Sequence, residues 1–194
     1  FGNRRDYDTA VNLLDFLYFR SGLLNRHQAS FPAGAWKWSH IQWTPTFWFD
    51  DNGWNGAISL WIARKYPELD RRYALTRWGL TLTDSLSNGL TRTLDHPNPA
   101  YPGQWTDPRA SWAGNVQLPH WGSLACLALT AAHAVQPKAD YATVVERYHH
   151  YVSESLPAFN ASEQAYALMV ATIAAKTFDR PGDHALASAL GNAL

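Results

Sequence analysis

The chain has 194 residues, enough to bury one sizeable core, and its 16 basic and 16 acidic residues cancel to a formal net charge of zero. With no basic stripe and no block of like charge, the composition argues against a nucleic-acid partner or a membrane-surface role, and the lack of any 18-residue apolar run argues against a membrane span. Tryptophan is the outlier, at ten residues against one Met and one Cys. The lone Cys126 has no partner for an internal disulfide, lies in an apolar run and reads as a buried, inert thiol.

Taken in chain order, the apolar spacing is helical nearly throughout, which predicts an all-α fold in a single domain spanning residues 1–194. The first helix is expected over 10–20, with Leu13, Leu14, Leu17 and Tyr18 turned inward. A second, over 54–66, is apolar almost all round (Ala57, Ile58, Leu60, Trp61, Ile62), which marks an element buried on most faces. A mixed helix over 69–86 carries Arg71, Arg72, Arg77 and Asp84, with Trp78 assigned, like Trp61, to the core. Residues 123–135 are again apolar all round. Residues 138–155 are amphipathic, with Tyr141, Val144, Val145, Tyr148, Tyr151 and Val152 on one stripe and His149 and His150 on the solvated one. Residues 162–178 read as buried, and 182–194 as one more mixed helix.

After the first helix the order alternates buried and amphipathic, a weak repeat of helical hairpins. Turns inside the hairpins are short. Two connections, 21–51 and 89–122, are long, and the alternation places both on one face of the assembly. Loops longer than about 12–15 residues in a compact domain usually carry function. These two hold eight of the ten tryptophans when Trp54 and Trp121 are counted at their ends, together with Asp50, Asp51, His96 and His120. Buried helices alternating with outer ones describe part of an α/α toroid. Three buried helices fill half of a six-hairpin ring, so apolar helix surface is expected to be covered by a second copy (a homo-oligomer) or by the remainder of a longer chain. The start at Phe1 without Met points the same way, to processing or to a fragment.

One segment carries the chemistry: Phe47-Trp48-Phe49-Asp50-Asp51-Asn52-Gly53-Trp54. Two neighbouring carboxylates disfavour each other's ionisation, and aromatic walls deepen the effect by removing water, so the pair can divide acid and base duties. In a turn entering a helix, consecutive Asp side chains can converge towards the separation of about 5–5.5 Å used by retaining glycosidases, against about 6.5–9.5 Å in inverting ones. The plainer reading makes Asp51 or Asn52 the cap of a helix beginning near Gly53, with Asp50 in a surface loop. Flat aromatics suit the apolar face of a sugar ring. Trp36, Trp38, Trp43, Trp48 and Trp54 fall within 19 residues. Trp48 and Trp54 are the first choices for sugar contact, followed by Trp43, Trp105 and Trp121. No His spacing suits a metal, and neither a metal nor a cofactor is expected.

The run from Trp48 to Trp54 resembles the Asp-Asp-Asn-x-Trp motif of glycoside hydrolase family 76, α-1,6-mannanase-like enzymes on a six-hairpin α/α toroid. The resemblance covers this motif, the hairpin rhythm and a looser match at His120-Trp121-Gly122. The Gly-Gly-x-Trp-Trp-like segment expected between them is absent, although Trp105 and Trp112 lie there, and the chain is about half the usual length. It implies Asp50 as nucleophile, Asp51 as acid/base, Asn52 and His120 among the substrate contacts, an α-mannan-like glycan as partner, and a secreted or periplasmic enzyme. Two alternatives stay open: a non-catalytic carbohydrate-binding or interaction module, and a polysaccharide lyase on the same scaffold using His120 and Tyr101.

Overall fold

The computed structural model describes residues 4–26, 32–37, 47–95 and 119–194. Among these the fold is all-α: α1 (Arg4–Asp15), α2 (Phe49–Lys65), α3 (Pro67–Tyr73), α4 (Leu75–Asp95), α5 (Pro119–Val135), α6 (Ala139–Ser155), α7 (Ala161–Phe178) and α8 (Pro181–Ala193). A π-helical turn, Phe16–Arg20, continues α1. The described residues hold no strand, only an isolated antiparallel bridge between Leu24 and Trp36. No described helix is long and apolar enough to cross a membrane.

The helices form two rows. In the first, α5 lies between α2 and α7; in the second, α4, α6 and α8 pack behind them and against one another. The first row runs parallel. Gly53 of α2 meets Leu124 of α5 and Gly56 meets Ala128, so the two helices keep step. His120 bonds Glu163 at the start of α5 and α7, and the rings of His133 and Phe178 meet at their ends. The core of this row is built from Phe49, Ala57, Leu60, Leu124, Leu127, Leu129, Val170, Ala171 and Ala174. Cys126 sits within it, fully buried, and burial pushes its thiol well above the usual range.

Several expectations need correction. The helix expected over 69–86 is two elements, α3 and α4, broken at Ala74, whose left-handed φ of 54° ends α3. Neither Gly nor Pro marks that break in the sequence. α2 starts at Phe49, five residues before its expected start at Trp54. It is not buried all round either: Ile58 and Trp61 are 43 % and 41 % exposed, so Trp61 is not a core residue, whereas Trp78 is. Leu13, expected inside, is exposed along with Phe16 and Phe19. Apolar helix surface is thus uncovered on α1, on the π-turn and on α2.

His149 is the other departure. It is 6 % exposed, and its Nδ1 lies 2.7 Å from Asp183 Oδ1, while Arg180 Nε donates to Asp183 Oδ2 at 2.7 Å. His150, about 100° further round the helix, does face solvent. Burial alone would raise the Asp183 carboxyl, but the bonds from His149 and Arg180, and their charges, hold it below its ordinary value of 3.8. A carboxyl depressed in the folded state stabilises above its unfolded value, and that stability is lost as pH falls through the folded one. Urea midpoints of the wild type should therefore drop as pH falls below about 4. Asp183→Asn should start from a lower midpoint at pH 7 and fall less over that window.

Candidate active site

The site is built where α2, α5 and α7 begin. Trp48 is the N-cap of α2 and offers no side-chain cap, so the free N–H groups of the first turn face Asp50 and Asp51. Carboxylates there complement the partial positive charge of the helix end. Neither Asp51 nor Asn52 caps the helix, and the pair does not stand in a turn ahead of it. As consecutive helical residues their side chains leave the axis about 100° apart. Asp50 is half-buried, and its Oδ1 is shielded from water without a hydrogen-bond partner. A buried, unpaired carboxylate oxygen is uncommon and calls for a reason. Asp51 lies on the exposed side, so it is desolvated only in part. That desolvation, with the neighbouring charge of Asp50 added, raises its carboxyl above the ordinary range.

Asn52 is fully buried and its amide is engaged. Its Oδ1 accepts from the Trp36 N–H at 2.6 Å, and its Nδ2 donates to Trp36 O at 3.1 Å and Trp48 O at 2.8 Å. The amide imitates a strand partner and pins the incoming loop to the head of α2. That loop is held again where Ser85 Oγ donates to Ala33 O at 2.7 Å, and by Gly34. Gly34 takes a φ of +74°, and a Cβ there would lie 2.7 Å from the Leu82 backbone nitrogen. Trp36 itself is core, edge-on to Tyr18 at 5.0 Å.

The shared face expected for the two long connections is realised at their described ends. Trp48 stacks on Trp121, ring centres 5.9 Å apart and 26° from parallel. Next to Trp121, the His120 ring lies 4.7 Å away, and Tyr166 of α7 flanks it at 6.2 Å. Glu163, in the first turn of α7, reaches His120 twice: Oε2 accepts the backbone N–H at 2.8 Å, and Oε1 lies 2.6 Å from Nδ1. Its place is fixed by Asn160, which caps its N–H at 3.0 Å. Trp54 is partly buried and packs against the core. Trp43, Trp105 and Tyr101 lie outside the described residues.

Glu163 is the residue that sequence reading missed. A lone acid in a first turn looks like an ordinary partner of the helix dipole, and only the Asn160-x-x-Glu163 spacing distinguished it. Compared with known proteins, the chain matches no family model, no curated protein and no solved structure.

Proposed function

We propose that the chain is a glycoside hydrolase acting on an oligo- or polysaccharide, with Asp50 as nucleophile and Asp51 as general acid/base. The observation that carries this reading is the pair's asymmetry. Asp50 keeps a carboxylate oxygen that nothing in the protein occupies, at a helix end that favours negative charge. Asp51 holds its proton to higher pH, as an acid must. Asp50 would attack the anomeric carbon while Asp51 protonates the leaving oxygen; water then releases the sugar with Asp51 acting as base. Because the side chains diverge around α2, the glycan has to lie across the helix end, and the stacked Trp48 and Trp121 supply an apolar platform for a sugar ring there. Asn52 serves the site by fixing the loop rather than by touching sugar.

On this reading the two rows are half of an α/α toroid, and the α-mannan-like substrate follows from the motif resemblance. The uncovered Ile58 and Trp61 stripe on α2 is where further helices, from a second copy or from more of the chain, would continue the ring. Action on extracellular glycans places the enzyme outside the cytoplasm, secreted or periplasmic. A screen against α-mannan, other glycans and aryl glycosides tests the function. A hydrolase releases reducing sugar alone, a lyase also forms an unsaturated product absorbing in the ultraviolet, and a binding module yields neither.

A further inference from the structure

Glu163 is too deeply set to meet a ligand: its side chain is 10 % exposed, against 24 % for His120. Whatever it does for the cleft, it does through the imidazole. Its Oε2 already accepts the His120 backbone N–H, so the group is arranged as an acceptor, and the 2.6 Å approach of Oε1 to Nδ1 requires the ring proton to sit on Nδ1. Neutral imidazole then presents a lone pair at Nε2. That nitrogen bonds to none of the described residues, and the ring is steadied between Trp121 and Tyr166. The charges around it agree in sign: Asp50 and Asp51 stand at the neighbouring helix end. None of the three carboxylates is in an ion pair with Lys or Arg among the described residues.

We propose that Glu163 is a positioning residue that holds His120 as the Nδ1–H tautomer, so that Nε2 accepts a hydrogen bond from a sugar hydroxyl and the cleft selects neutral glycans over uronates. A hydroxyl can donate to that lone pair; a carboxylate cannot, and it meets three like charges besides. Specificity here is largely rejection of the wrong partner. The inference rests on the glycan reading of the cleft for its ligand, but not for its tautomer.

The test has two arms. Ring nitrogen NMR of the ligand-free protein, with His120→Gln to assign the signals, should show an unprotonated Nε2 and a protonated Nδ1. Glu163→Leu should move His120 towards Nε2–H, and Glu163→Gln, nearly isosteric and still an acceptor, should retain much of the wild-type pattern. Separately, tryptophan fluorescence titrations should show the wild type binding the best neutral oligosaccharide of the screen at least tenfold more tightly than its uronate counterpart. In Glu163→Leu that ratio should fall about tenfold, with Glu163→Gln between. A wild-type His120 protonated at Nε2, or a spectrum unmoved by Glu163→Leu, overturns the positioning role. An unchanged ratio overturns the selectivity. If the Nδ1–H signature is present but no neutral glycan binds, the selectivity falls together with the glycosidase reading, while the tautomer assignment stands.

Discussion

Replacing Asp50 with Asn should lower turnover of the best substrate by at least about a thousandfold while leaving the melting transition in place. The substitution keeps the shape of the side chain and removes the charge that a nucleophile needs. The same change also relieves a buried unpaired carboxylate oxygen, so the folded state should be no less stable, and the loss is chemical. Asp51→Asn should cost about a hundredfold or more, and it should alter the pH profile as well. In the wild type, turnover falls on the acid side as the nucleophile gains its proton, and on the alkaline side as Asp51 loses its own. Because the Asp51 carboxyl is raised, that alkaline limb is displaced upward from the ordinary carboxylate range, and it should vanish in Asp51→Asn. Turnover that survives either substitution removes that residue from the mechanism.

The largest effect on stability is expected at Gly53. A Cβ there would lie 2.1 Å from Leu124 O and 2.3 Å from Leu124 C, with the Ala125 backbone nitrogen at 2.8 Å. All three are backbone atoms, so no side-chain rotation can relieve the contact and α2 and α5 must separate. Alanine in a helix gains only about 0.5–1 kcal/mol over glycine in propensity. Overpacking against rigid backbone at a wholly buried crossing costs about 3 kcal/mol or more, so the clash wins. For a chain of this length that is a fall of about 6–12 °C in melting temperature. Gly182 is the control: an added Cβ meets nothing within 4 Å, and Gly182→Ala in the first turn of α8 should be neutral or slightly stabilising. A Gly53→Ala protein as stable as the wild type would mean that the two helices do not approach as described. Because the crossing sits one turn inside the site, any Gly53→Ala protein that folds should also disturb the Trp48–Trp121 stack, visible as a change in tryptophan fluorescence.

The hairpin rhythm was legible because helix period and short turns are local properties. So was the common face of Trp48 and Trp121, which follows from the parity of the helices. What the sequence hid depends on how elements turn against one another. His149 and His150 look equivalent in a run of polar residues, yet a rotation of about 100° buries one against Asp183 and exposes the other. Trp61 reads as core in an apolar helix, but apolar character does not say which side has a neighbour, and α2 has none over Ile58 and Trp61 among the described residues. The early start of α2 escaped because Trp48 offers no capping side chain to signal it. Asn52 looked like a ligand contact because an amide in an aromatic motif fits a sugar; only coordinates show that Trp36 and Trp48 have already taken it.

The two-row packing has a consequence for how the molecule opens. Each hairpin leans on its sequence neighbours, with α5 gripped between α2 and α7, so the chain resembles a short stack of repeats more than a globule with one indivisible core. In such a stack the terminal unit can peel away without unfolding the rest, whereas the middle one opens only with the whole. Here the terminal unit is α7–α8, and it carries Glu163. Asp50 and Asp51 ride on α2, and His120 on the central α5. A fluctuation that releases the last hairpin would therefore free the His120 ring while the two aspartates stayed in place. The machinery for cleaving a bond and the device for choosing the sugar thus sit on parts of the chain that persist for different lengths of time.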